Sequence, residues 1–157
     1  MPDFATTDLT LAIAHHLLIF ALAAILAFEI GAIRMEMDGG DVARLARVDI
    51  WYGILAAAIL AVGFSRAIFA AKGWAYYSTN HFFWAKLGAF AIVGLLSIWP
   101  TVAIIRWNRA AKSDHAFRPP AQEIRRARQF LWAEVFFFAW IPVFAAAMAR
   151  GYGSVHA

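Results

Sequence analysis

The 157-residue chain contains no cysteine and few charged residues. Without thiols it cannot form disulfides, thiolate zinc sites, iron–sulfur clusters or cysteine nucleophiles, so a metal site would have to use histidine, carboxylate or methionine. Charged residues make up 15% of the sequence and apolar residues 63%, whereas soluble domains are roughly half apolar. The charges lie between four long apolar stretches. This pattern predicts a protein whose helices are surrounded by lipid.

Each apolar stretch is long enough to cross a bilayer, which takes about 20 helical residues. The predicted spans cover residues 9–33, 50–71, 82–105 and 130–149. Because the polar loops between them are short, antiparallel packing of neighbouring helices is the simplest arrangement. We therefore expect an all-α integral membrane protein, an antiparallel four-helix bundle in which residues 1–157 form one four-span domain.

Polar residues and glycine mark candidate helix ends. Asp41 is a candidate N-cap for the second helix, and Ser78, Thr79 or Asn80 for the third. Gly151 suits the C-terminal exit of the fourth helix, because glycine readily leaves helical conformation.

Basic residues are distributed unevenly between the two sides of the predicted bundle. Ten of the fourteen lie in or beside the first and third loops, and basic loops usually face the cytoplasm. We expect a multi-pass protein of the bacterial inner (cytoplasmic) membrane with both termini periplasmic. The net charge of +4 indicates contact with anionic membrane lipids, and no nucleic-acid partner is expected.

Ionisable residues within the spans fall into two layers. The inner half contains Glu29, Asp49 and Glu134, with arginines such as Arg106 at similar height. Buried charges need partners, so the sequence predicts that Glu29, Asp49, Arg106 and Glu134 pair their charges in a structural role.

The outer half carries His15, His16, Arg66 and Lys86 in one layer, with few acidic residues nearby. An anionic group is expected to complete this layer: a lipid phosphate, a carboxylate substrate or the propionates of a porphyrin. The alternative is that Arg66 and Lys86 extend along their apolar stems to phospholipid headgroups.

Neutral imidazole can ligate haem iron, which makes His15 and His16 candidate cofactor residues. Adjacent helical residues point about 100° apart, so only one of the two histidines can face the bundle centre. His15 shares a seven-residue seam with Asp8, Leu22 and Glu29, which favours His15 as the inward residue and as the candidate ligand of haem iron.

Several strings resemble an uncharacterised family of small bacterial membrane proteins, domain of unknown function 2214. They are RVDIWYG at 47–53, KGWAYY at 72–77, FWAKL at 83–87, GLLSIWPT at 94–101 and Ala-Arg-Gly at 149–151. The similarity runs from His15 to Gly151. It implies a four-span inner-membrane fold and brings no established activity.

A fainter resemblance is to the small haem-associated membrane protoporphyrinogen oxidases. Those place a histidine in the first helix and a lysine after an aromatic pair in a later helix, which here would match His15 or His16 and Lys86. The motifs that the oxidases carry between these points do not occur in this sequence. The resemblance implies haem b as the cofactor.

Three functions follow as hypotheses, and enzyme status stays open. The first is a haem-linked or redox-associated membrane protein that uses the layer of His15, Arg66 and Lys86. The second is a non-catalytic accessory or assembly subunit, which would act within a larger membrane complex or a homo-oligomer. The third is a small anion transporter or channel.

Overall fold

Five α-helices follow one another in the described part of the chain: α1 Phe4–Ala32, α2 Gly39–Phe69, α3 Gly73–Ser78, α4 His81–Ser113 and α5 Ala121–Ala149. The computed structural model describes residues 4–69 and 73–153. Four of these helices are long and apolar enough to cross a membrane, which confirms the four predicted spans. The short α3, which the sequence analysis did not predict, lies between α2 and α4 in the chain.

The four long helices form an antiparallel bundle, as predicted. Both α1 and α4 pack against α2 and against α5, so α1 lies diagonally across from α4, and α2 across from α5. Loops 33–38 and 114–120 lie at one end of the bundle, called here the basic end. The short α3 lies at the other, called the opposite end.

Three helices are longer at the basic end than the apolar runs predicted. The α2 helix begins at Gly39 and α5 at Ala121, while α4 continues to Ser113. These extensions bury one residue in every three or four, as Val42, Leu45 and Ala46 do on α2, which is the period of an amphipathic helix. The C-terminal end of the second predicted span, residues 70–71, lies outside the described residues.

The N-terminus of α2 is capped by Asp38, and the prediction of Asp41 as the cap was wrong. The Asp41 N–H donates to Asp38 Oδ1 at 2.8 Å, and the Asp38 N–H donates back to Asp41 Oδ2 at 3.4 Å. This reciprocal pair resembles a capping box, and Arg34 adds an ion pair to Asp41 at 2.7 Å. The hydrogen bond from Asp41 holds the pKa of Asp38 below its usual range.

At the opposite end, Asn80 joins the start of α4 to the chain that follows α5. Its Oδ1 accepts the Phe82 N–H at 2.9 Å, which confirms Asn80 among the predicted caps, and its Nδ2 donates to the Tyr152 carbonyl at 3.1 Å. The chain reaches this position because it leaves α5 through Gly151, whose φ of +84° is a left-handed conformation. We call this contact the Asn80 clasp.

Most of the fully buried apolar side chains lie toward the basic end. Those less than 2% exposed include Met37, Leu45, Ile104, Trp107, Ile124 and Leu131. Trp107 is the largest, and its indole N–H donates to Glu123 Oε2 at 2.6 Å. The same oxygen accepts from Arg106 at 2.7 Å. The basic end therefore has a packed core of the kind found in water-soluble bundles.

Candidate functional site

Residue His15 faces the interface between α1 and α2. Its side chain is half-buried, and its Cε1 would lie 3.1 Å from a Cβ built on Gly63. Because glycine has no Cβ, Gly63 leaves the space that the ring edge occupies. The Nδ1 atom of His15 is enclosed and has no hydrogen-bond partner. The ring is therefore held by van der Waals contact with α2, and its Nδ1 atom forms no hydrogen bond with the described residues.

Its neighbour His16 is turned outward. The side chain is exposed, and Nδ1 lies 2.7 Å from the carbonyl oxygen of Ala12, one helical turn earlier. The seven-residue seam predicted this division between the two histidines, since Leu22 and Glu29 on the same seam are 1% and 2% exposed.

The Arg66 guanidinium, on α2, lies beside the same part of α1. Its Nη2 is 4.0 Å from Asp8 Oδ1, a separation at the outer limit for an ion pair. The Nε atom of Arg66 and that carboxylate oxygen are both enclosed, and neither forms a hydrogen bond with any residue that the structure describes. Arg66 therefore has an acidic neighbour, but its hydrogen-bonding capacity is incompletely used.

The second cation, Lys86 on α4, has no ion pair within the part of the chain that the structure describes. Its Nζ lies 5.3 Å from the centre of the Phe83 ring, where the ring face attracts a cation. Lys86 and Arg66 are both close enough for their charges to act on His15. We call His15, Arg66 and Lys86 the histidine layer.

The three acidic residues predicted to pair with arginines have other surroundings. Glu29, Asp49 and Glu134 are 2%, 7% and 0% exposed, and none has an ion pair among the described residues. Arg106, predicted to belong to this group, pairs with Glu123 at 2.7 Å. It does so because its side chain is 60% exposed and lies beside the first turn of α5. We call the three residues the carboxyl cluster.

Hydroxyl groups supply the hydrogen bonds of the carboxyl cluster. The Tyr52 hydroxyl donates to Glu134 Oε2 at 3.0 Å, joining the diagonal helices α2 and α5. The Thr101 hydroxyl, on α4, donates to Asp49 Oδ1 at 2.7 Å. Oxygen Oε1 of Glu29 and of Glu134 is enclosed and unpartnered. Neither Tyr52 nor Thr101 was predicted from the sequence as a site residue, although Tyr52 follows Asp49 by three residues on one helix face.

A pocket of about 310 Å³ opens beside the cluster, between α2 and α4. Its polar lining includes Asp49, Tyr52, Ser97 and Thr101, and most of the remaining lining is apolar. Within the described ranges, histidines and carboxylates do not gather into a group of three or more that could hold a metal ion. The carboxyl cluster is therefore a hydrogen-bonding site in its observed geometry.

Residues 7–153 match the model of the family described as Predicted membrane protein (DUF2214). The chain belongs to this family. Its four apolar helices agree with the description and indicate a multi-pass membrane location. Searches of curated proteins and of solved structures find no match.

Proposed function

We propose that this member of the family is an inner-membrane protein of bacteria in which the histidine layer binds haem b. In this arrangement the basic end faces the cytoplasm and both termini face the periplasm. The distribution of charge supports the orientation, because ten of the fourteen basic residues lie in or near loops 33–38 and 114–120. The histidine layer then lies in the periplasmic half of the membrane.

The absence of cysteine makes the orientation directly testable. We expect Thr79→Cys, at the opposite end, to react with a membrane-impermeant maleimide in cells whose outer membrane has been permeabilised. We expect Ala116→Cys, in loop 114–120, to react only after the inner membrane is disrupted. The wild type is the unlabelled control, since it contains no thiol. Labelling of Ala116→Cys while the inner membrane is intact would show that the protein has the opposite orientation.

The observation that carries the haem proposal is the half-buried His15 ring, which is held against Gly63 in the half of the bundle that also contains Arg66 and Lys86. Haem b needs an axial ligand and, for its two propionates, cationic partners. His15 supplies an imidazole, and Arg66 and Lys86 supply the positive charge. Haem held through one imidazole would provide one-electron or oxygen chemistry.

Each of the three residues has a separate task in this proposal. His15 is positioned by Gly63, so that the ring orientation depends on the contact between α1 and α2. Arg66 is directed by Asp8, while Lys86 extends from α4 beside Phe83. Propionates would use the terminal nitrogens of the Arg66 guanidinium and the Nζ of Lys86 as hydrogen-bond donors.

Mild-detergent purification followed by an absorption spectrum tests the proposal. We expect a Soret band in the wild type, either as purified or after reconstitution with haem, and its loss in His15→Ala. His16→Ala is the matched control and should keep the band, because His16 is exposed. Arg66→Gln and Lys86→Gln should each weaken haem affinity about tenfold or more, since a hydrogen bond to a charged group contributes roughly 1.5–3 kcal/mol.

A wild-type protein without a Soret band after reconstitution would exclude the haem proposal. An accessory subunit would then be the second candidate, and one observation favours it. A Cβ on Gly53, Gly88 or Gly94 would meet nothing within 4 Å, so another helix can approach these positions closely. Identification of proteins that co-purify with the chain, in the same preparation, tests that candidate. The anion transporter stays a prediction.

A further inference from the structure

The carboxyl cluster combines complete burial with incomplete hydrogen bonding. Glu29 and Glu134 are 2% and 0% exposed, and each has an enclosed Oε1 atom without a partner. A buried polar atom that lacks a hydrogen bond costs about 1–3 kcal/mol. The native fold keeps two such atoms in one place, in a segment of the bundle where every long helix contributes a polar side chain.

The charges around the cluster have one sign. Asp49 and Glu134 are the charged groups that act on Glu29, and Asp49 is the one that acts on Glu134. No lysine, arginine or histidine among the described residues is paired with any of the three. Several negative charges in such an apolar space are unfavourable, and a group in that situation is stabilised by taking up a proton.

A bound proton also satisfies the unpartnered oxygens. An ionised carboxylate only accepts hydrogen bonds, whereas a protonated one also donates through its O–H. A proton on Oε1 of Glu29 or of Glu134 turns an atom that could only accept a hydrogen bond into one that can also donate. Chains of carboxylic acids and hydroxyls inside membranes are a known means of relaying protons.

The cluster has a connection to the pocket between α2 and α4. Asp49, Tyr52 and Thr101 line that pocket, while Glu134 and Glu29 lie behind them. Tyr52 connects the pocket to the carboxyl cluster, because its side chain lines the pocket and its hydroxyl donates to Glu134. Rotation of the Tyr52 hydroxyl can pass a proton from the pocket side to Glu134 and accept a replacement, so that charge and atoms are conserved.

We propose that the carboxyl cluster is an intramembrane proton-binding site, reached from the pocket between α2 and α4 through Tyr52. The groups that face it are Glu29 from α1, Asp49 and Tyr52 from α2, Thr101 from α4 and Glu134 from α5. The site uses none of the residues of the histidine layer, so it stands whether or not haem binds there.

Infrared spectroscopy of the purified protein tests the proposal directly. We expect the C=O stretching band of protonated carboxylic acid at neutral pH, shifted in deuterium oxide and lost as the pH rises. Glu29→Gln and Glu134→Gln, which preserve side-chain shape, should each reduce the band. Glu36→Gln is the matched control, because Glu36 is exposed in loop 33–38 and should leave the band unchanged.

A wild type without this band at neutral pH would overturn the proposal, as would a band that both glutamine variants leave intact. Gel filtration and circular dichroism establish that the variants are folded.

Tyr52→Phe tests whether the proton reaches the carboxyl cluster through Tyr52. It should keep the band and slow its shift after transfer into deuterium oxide, and an unchanged rate of exchange would show that the proton does not pass through Tyr52.

Discussion

Replacing Trp107 by alanine is expected to lower the free energy of unfolding by about 3–5 kcal/mol, the range for removing a buried large aromatic side chain. Trp107 is 1% exposed and belongs to the core cluster with Leu45, Ile104 and Ile124. It lies on the part of α4 that continues beyond the apolar run, where Arg106 and Arg109 flank it. At this height the alternative to burial is contact with water, so the hydrophobic effect contributes fully.

Reversible unfolding in mixed detergent micelles, followed by far-ultraviolet circular dichroism, measures this loss. Trp132→Ala is the matched control, because Trp132 is 56% exposed and should change stability much less. Trp107→Phe separates packing from hydrogen bonding: it removes the N–H that Glu123 accepts and should cost about 1.5–3 kcal/mol for that bond to a carboxylate, besides any packing loss. Equal losses in Trp107→Ala and Trp132→Ala would show that the basic end has no packed core.

The membrane spans were predictable because lipid demands long apolar runs, but those runs did not show how far the helices continue at the basic end. An apolar run marks where hydrocarbon begins, and it carries no information about how far the helix continues into water. On α5, the segment from Ala121 is helical because Ile124, Ala127 and Leu131 return to the core at helical spacing, although exposed arginines stand between them. The helical spacing of these apolar residues predicts the extension, whereas the length of the apolar run does not.

The inward position of His15 followed from the sequence because residues seven apart share a helix face. The space that accommodates its ring could not be predicted from the sequence. Gly63 lies on another helix, and only the packing of α1 against α2 brings Gly63 and His15 together. From the sequence, Gly63 is only a small residue within an apolar run. Its specific contact with an imidazole is a property of helix rotation, which composition does not determine.

The carboxyl cluster shows the limit of arguing from height in the membrane. Arg106 and Glu134 are at heights that would permit pairing, but a side chain also has a direction around its helix. Arg106 projects to the exposed side and meets Glu123, while Glu134 projects to the centre and meets Tyr52. Charges that balance in number can therefore remain separate in space.

The second large effect is expected for the Asn80 clasp. Asn80→Ala should lower the free energy of unfolding by about 2–4 kcal/mol, because it removes a helix N-cap and leaves a carbonyl without its donor. Asn80 is 0% exposed, so water cannot replace the lost bonds in a closed clasp. Thr79→Ala is the matched control at an exposed neighbouring position.

Asn80→Ser divides the two contributions of the clasp. Serine is a good N-cap and can still accept the Phe82 N–H, but it is too short to replace the Nδ2 donor to Tyr152. It should therefore recover about half of the loss. Hydrogen exchange at the His81 amide, which donates to Gly153 at 3.2 Å, reports whether the clasp is closed. Exchange that is unchanged in Asn80→Ala would mean that other contacts, such as the Phe82 and Phe144 rings that join α4 to α5, keep this end closed, and that Asn80 contributes only the cap.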